Sequence, residues 1–316
     1  MYIVFDTNAY RNLIFGKTIE EIDEIIHKIV KRQGELGIIS LMSTTVAREL
    51  ICHLFDNDVF DEAGDCTKAI RAIYEHCGDI EKYNLVPFPE TQLSRELFGI
   101  ENVKAEEQQK AVAEIVFNVF KNPTIDNLNP YLHNIEKIRK HNYETECAFE
   151  NMLSIMKGMA LPNGVTFSKI ACSEAFKMET ATAYICALAI DLGIILIKDI
   201  RINGSKAIVP SIIMEKAEEY LKRYPAPIEM RLNLIAKLDM SNFNPSKKDR
   251  LNQIWDEQIL HLVNHQICGE PIILVTSDKG MISVVDKVYT ASAYTTSEPF
   301  GKHIISLDEY LSYLGV

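Results

Sequence analysis

The chain opens on a four-residue apolar run, Tyr2-Ile-Val-Phe5, that stops abruptly at Asp6-Thr7-Asn8. An uninterrupted run of this kind, with β-branched and aromatic members, reads as one strand buried on both faces. Such strands belong to parallel sheets, because each parallel crossover lays a helix over the sheet. The polar end of the strand then opens on the carboxyl edge, where open α/β sheets bind their ligands. A carboxylate there, with an amide two residues on, suits a hard cation or a phosphate-bearing substrate. An Asx turn ending a strand explains the same residues with no function attached.

The 316 residues have room for one large domain or two ordinary ones, and 47% of them are hydrophobic, enough for a sizeable core. The formal charge of −11 argues against a general polyanion-binding surface. It leaves open a nuclease whose carboxylates hold cations, since bound metal reverses the local field. The seven cysteines (52, 66, 77, 147, 172, 186 and 268) are scattered, odd in number and form no C-x-x-C. They read as reduced core thiols of a cytoplasmic protein. The start lacks a basic stretch followed by an apolar one, so no signal peptide is expected. Ala181 to Ile197 is broken by Asp191 and Gly193 and reads as a buried helix followed by a strand, not a membrane span.

Ile22, Ile25, Ile26, Ile29 and Val30 predict a helix over 20–33 that ends at Gly34 or Gly37. Ile38 to Met42 is a second short strand, and Ser43-Thr-Thr45 supplies cap hydroxyls for a helix bearing Glu49. Tyr83 to Phe88 resembles a third strand, with a short helix over 90–97. Amphipathic helices are predicted over 103–121, 131–157, 168–192, 210–224 and 227–238. A hairpin of 194–202 with 205–209 turns on Asn203-Gly204. Asn244-Pro245 opens a long helix running to Cys268 that carries Asp256. Pro271 to Val275 is another wholly apolar strand, stopping at Thr276-Ser-Asp278 much as the first stops at Asp6. Ile304-Ile305 and a helix over 307–314 close the chain.

Two apolar strands ending in acids, Asp6 and Asp278, and two helix acids, Glu49 and Asp256, make a cluster whose members repel unless cations neutralise them. Glu49 paired with a neighbouring Arg or Lys on an exposed face is the plain alternative. Oxygen-only donors select Mg²⁺ or Mn²⁺ over zinc, and phosphodiester hydrolysis is a natural chemistry for them.

In this order the motifs resemble those of a PIN-domain nuclease of the flap-endonuclease-like fold. The matching pieces are Val4-Phe-Asp-Thr-Asn8, Ser43-Thr-Thr-Val-Ala-Arg-Glu49, Asp256-x-x-Ile259 and Leu274-Val-Thr-Ser-Asp278. The resemblance implies an α/β fold with a mainly parallel twisted sheet in the order 3-2-1-4-5 and helices on both faces. It spans residues 1–98 and 245–316, leaving 99–244 as a mostly helical insertion. It implies a metal-dependent ribonuclease that leaves a 5′-phosphate, with Asp6, Glu49, Asp256 and Asp278 holding Mg²⁺ or Mn²⁺. Asn8, Thr276 and Ser277 would orient the metal-binding groups or the attacking water.

The interval from Asp256 to Asp278 is about one helical turn longer than the family leads one to expect, which keeps Asp249 and Glu257 open as the third acid. Glu179 and Asp199 form a second, weaker acid pair inside the insertion. Lys247, Lys248 and Arg250 are candidate contacts to a nucleic-acid backbone; a solvated charged turn explains them as well. His261 and His265 have metal-ligand spacing, but lack the acid of an H-E-x-x-H helix and a third ligand.

A haloacid dehalogenase-like phosphatase would require a second Asp where Asn8 stands. A catalytically inactive scaffold on the same fold, with the insertion binding a protein partner or inhibitor, and a DNA nuclease are the remaining alternatives.

Overall fold

A computed structural model of the chain describes residues 1–54, 64–78, 80, 84–204, 206–247, 252–289 and 302–316. In chain order its strands are β1 (Tyr2–Phe5), β2 (Ile39–Ser43), β3 (Leu85–Val86), β4 (Arg201–Asn203), β5 (Lys206–Ile208), β6 (Gln266–Ile267), β7 (Glu270–Thr276) and β8 (Ile304–Ser306). The chain divides into two compact units: residues 1–88, 106–145 and 262–316, and residues 89–105 and 146–261. This division falls elsewhere than the one at 98/245 read from the sequence. Residues 106–145 group with the sheet, and 89–98 and 245–261 group with the helical unit.

The first unit is a mixed α/β structure, with helices around a sheet ordered β3-β2-β1-β7-β6 and β8 also pairing with β7. Its β1–β2, β1–β7, β2–β3 and β7–β8 pairs are parallel, and the short β6–β7 pair is antiparallel. The two central strands are the two apolar runs of the sequence. Ile3, Val4 and Phe5 lie beside Ile273, Leu274 and Val275, and all six are buried. Each such side chain contributes roughly 1.5–3 kcal/mol on burial. The register leaves Asp6 just beyond the last β1–β7 pair, Phe5 with Val275, and its backbone N–H donates to Val275 O at 3.0 Å.

The Ile19–Leu36 helix starts on a capping box, in which Thr18 accepts from Glu21 N–H and Glu21 from Thr18 N–H. It buries Ile22, Ile26 and Ile29 and stops at Gly37, whose φ of +66° closes the left-handed cap. Gly34 stays inside the helix. Tyr74 stacks on Phe120 at 4.2 Å, and Arg71 lies over the same ring, tying the Val103–Lys121 helix to this unit.

Beneath the sheet sits a buried polar network. Gln33 Nε2 donates to His76 Nε2 at 2.9 Å and to the Tyr310 hydroxyl at 2.6 Å, and Ser40 donates to Gln33 Oε1 at 3.0 Å. With His76 Nε2 accepting, Nδ1 carries the proton and donates to Tyr10 OH at 3.0 Å. Burial pushes the His76 pKa down to about 3, so the ring is neutral.

The second unit is helical, with a core that includes Phe149, Leu153, Ile185, Leu188, Ile213, Tyr220, Leu232 and Trp255. The helix expected over 168–192 is two, Phe167–Ala171 and Glu174–Asp191, because Ser173 caps the second by accepting from Phe176 N–H. The hairpin is present, but its first strand is short. Residues 197–199 form a 3-10 turn in which Asp199 accepts from Leu196 N–H, and Gly204 enters the turn at φ +62°.

Among the described residues the helix expected over 244–268 is not continuous. Asn244 makes an Asx turn, accepting from Ser246 N–H, and Gln253–Ile259 is helical. Beyond it Asn264 and Cys268 adopt positive φ, 76° and 53°, which no helix continues through, and the chain reverses into β6.

Of the cysteines, Cys52, Cys77 and Cys186 are buried while Cys172 and Cys268 are exposed, so the reading as core thiols holds for only some. Among the described residues no helix is long and apolar enough to cross a membrane.

Candidate active site

Asp6 ends β1 and begins the Thr7–Ile14 helix. In extended conformation it is that helix's N-cap, and Oδ1 accepts from Ala9 N–H at 2.6 Å. The carboxylate is 1% exposed, at the carboxyl edge of the central strand. Its other oxygen, Oδ2, accepts from the hydroxyl of Thr276, the last residue of the neighbouring β7.

Thr276 also accepts from the backbone N–H of Asp278 at 2.9 Å. One buried hydroxyl therefore joins the side chain of the first acid to the backbone of the last, which explains the Thr-x-Asp ending of β7 locally. Asp278 is in turn the N-cap of the Lys279–Val288 helix. Its Oδ1 accepts from Gly280 and Met281 N–H at 2.6 and 3.1 Å, while Oδ2 makes no hydrogen bond among the described residues.

Glu49 comes from the Thr44–Cys52 helix that follows β2, which Ser43 caps. Its Oε2 accepts from the Thr7 hydroxyl at 2.6 Å, and Oε1 lies 3.6 Å from Arg11 Nη2. Thr7 and Arg11 stand one turn apart on the helix that Asp6 caps. Both readings of Glu49 thus hold at once: it faces the sheet edge and it pairs with an arginine. Arg11 is 42% exposed, so the ion pair contributes at most about 1 kcal/mol.

Burial, above all, raises the Asp6 pKa from 3.8 to about 7. The hydrogen bonds from Thr276 and Ala9 pull it down, and the charges of Glu49 and Asp278 push it further up. The three acids thus repel one another around one desolvated carboxylate. The donors are all oxygens, and Asp278 Oδ2 is uncommitted, so in kind they fit Mg²⁺ or Mn²⁺. Among the described residues no group of three His, Cys, Asp or Glu side chains is arranged to hold a metal ion as it stands. Asn8 and Ser277 are half-buried at the same edge, and neither side chain makes a hydrogen bond among the described residues.

Asp256 lies in the helical unit, half-buried on the Gln253–Ile259 helix. Its neighbour Glu257 is buried and holds Arg231, at 2.9 Å to Nε and 2.8 Å to Nη2. That engagement removes Glu257 as an alternative third acid. Lys247 is exposed; Lys248, Asp249 and Arg250 lie outside the described residues. Glu179 and Asp199 are both exposed, the second occupied in capping its own turn. His261 is a core histidine. Tyr220 OH lies 2.9 Å from Nε2 and Glu257 O 3.1 Å from Nδ1, and the helix ends at Ile259, so His261 and His265 do not share a helix face.

Sequence reasoning missed Thr7 and Arg11 as partners of Glu49. Their spacing of four was the available signal, because it puts both on the helix face that Asp6 opens. Comparison with known proteins finds no family model, no curated protein and no solved structure that matches this chain.

Proposed function

We propose that the chain is a PIN-like, divalent-metal-dependent ribonuclease. The observation that carries this reading is the buried Asp6 carboxylate, its pKa raised by desolvation and by Glu49 and Asp278, at the carboxyl edge of a mainly parallel sheet. The succession β3-β2-β1-β7, with β8 parallel to β7, supports the reading too. The scattered, odd set of seven cysteines supports a cytoplasmic setting.

Asp6, Glu49 and Asp278 are the groups that would hold Mg²⁺ or Mn²⁺; Asp256 stays a candidate acid on its sequence motif alone. The ion supplies Lewis acidity, making a water more acidic and offsetting charge on the leaving oxygen. Thr276 fixes the orientation of Asp6 through its hydroxyl. Asn8 and Ser277 offer hydrogen bonds to the attacking water or the scissile phosphate. Lys247, Lys248 and Arg250 are proposed backbone contacts. The products carry 5′-phosphates.

The test is incubation with matched single-stranded RNA and DNA, with Mn²⁺ and with EDTA. RNA cleavage that needs Mn²⁺ and is lost in Asp6→Asn is expected. Undiminished cleavage by Asp6→Asn refutes the site, and preference for DNA moves the substrate. A second reading, a non-catalytic scaffold that binds a protein through its helical part, has one observation in its favour: Asp6 and Asp278 are both engaged as helix caps. It predicts neither Mn²⁺ binding nor cleavage.

A further inference from the structure

Beside the carboxylates, at the carboxyl ends of β7 and β8, lies an open groove of about 480 Å³. Ligand sites for small organic molecules fall in this range, enough for one or two nucleotide units. Ser277 and Lys279, which flank Asp278 in the chain, line it together with Asn12, Lys17, Leu13 and Ile282. Among the described residues that line it, Asp308 is the one acid against two lysines. Nearby, Lys68 Nζ donates to the backbone O of Lys17 at 3.1 Å.

From this we infer that the groove holds the phosphodiester backbone of a single strand and leads it to Asp278. The inference rests on the nuclease reading for the identity of its ligand. The N-terminus of the Lys279–Val288 helix cannot serve as the anion site, since Asp278 already takes Gly280 and Met281 N–H. The lysine ammonium groups and the uncommitted Ser277 hydroxyl must therefore meet the phosphates. No aromatic ring lines the groove among the described residues, so bases gain no stacking platform and the strand is held by charge. Binding is then tolerant of base sequence and falls steeply with salt.

The experiment is fluorescence anisotropy with a labelled single-stranded oligonucleotide in EDTA, as RNA and as DNA, across a salt series. The proteins are the full chain, Lys17→Gln, Lys279→Gln, the double Lys17→Glu/Lys279→Glu, and Lys104→Glu as a charge control. Each neutralised lysine should flatten the salt dependence by about 0.7 in slope, the single-strand value per phosphate contact. The double reversal should weaken binding at low salt by about tenfold or more, with Lys104→Glu near wild type. In the cleavage assay the groove variants should raise KM and leave kcat. Circular dichroism checks the fold, and the glutamine variants keep the test alive if the double reversal is unstable. Equal affinity and slope in all variants overturns the groove while RNA cleavage by the wild type keeps the nuclease. Lysine-dependent binding without cleavage does the reverse, and a wild type that binds neither strand overturns the groove.

Discussion

Thr276 and Asp6 sit on adjacent parallel strands, and the Thr276 hydroxyl donates to Asp6 Oδ2 while accepting the backbone N–H of Asp278. No solvent reaches this bond, since both residues are almost fully buried. It aligns the first acid and positions the turn that carries the last.

Replacing Thr276 by valine keeps the shape and removes both hydrogen bonds. Leaving buried polar groups unmatched costs about 1–3 kcal/mol. Urea unfolding should show that loss, and Mn²⁺-dependent cleavage should fall more than the loss of folded protein explains. A Thr276→Val chain with wild-type stability would show that the hydroxyl is replaceable.

Asp6 makes the folded chain pH-sensitive. Its folded pKa of about 7 lies above the ordinary 3.8, so between these values the folded state holds a proton that the unfolded state has lost. Stability from this group is full below pH 4 and falls as pH rises through 7. The difference is on the order of 4 kcal/mol. Without metal, Asp6→Asn should therefore melt higher than wild type at pH 8 and close to it at pH 4. Mn²⁺ should raise the melting temperature of the wild type far more than that of the variant. A variant that melts lower than wild type at pH 8 contradicts the desolvation argument.

His76 works in the opposite direction. Its folded pKa is pushed to about 3, below the ordinary 6.5, so acid protonates the unfolded chain first. Its contribution is full above pH 6.5 and is lost as pH falls toward 3. His76→Leu abandons Tyr10 and Gln33 and should cost about 1–3 kcal/mol at pH 7. The gap from wild type should narrow at pH 4.5, where only the wild type is penalised. A gap that stays constant between the two pH values would mean that His76 does not titrate on unfolding.

Adjacent acids on one short helix should behave differently. Asp256→Asn should lower cleavage if that acid acts in the chemistry. Arg231→Ala strands Glu257 as a buried unpaired charge, which costs about 3–5 kcal/mol, and Glu257→Gln restores part of it in the double variant. Thermal melts and single-turnover rates separate the two effects. Full activity in Asp256→Asn removes that acid from the proposed site.

The sheet edge was legible before any coordinates. Tyr2–Phe5 and Pro271–Val275 are apolar without interruption, which only strands covered on both faces tolerate, and each ends at an acid. The cap at Ser43 was legible too, and in the fold Asp6, Thr18 and Asp278 bond the N–H groups just after them in the same way. The helix over 244–268 failed for the complementary reason. Its apolar spacing is helical, but that spacing is equally met by a short helix and a reversal, and Asn264 and Cys268 in positive φ decide for the reversal. Glu257 shows the limit most sharply: a carboxylate beside the expected metal ligand is a core ion pair because Arg231, twenty-six residues earlier, meets it in space. The partners of Glu49, the hydroxyl between Asp6 and Asp278, and the lysines of the groove likewise come from distant segments. Spacing within one element is written in the chain. Which distant charges become neighbours depends on how the elements pack, and that is a property of the folded core alone.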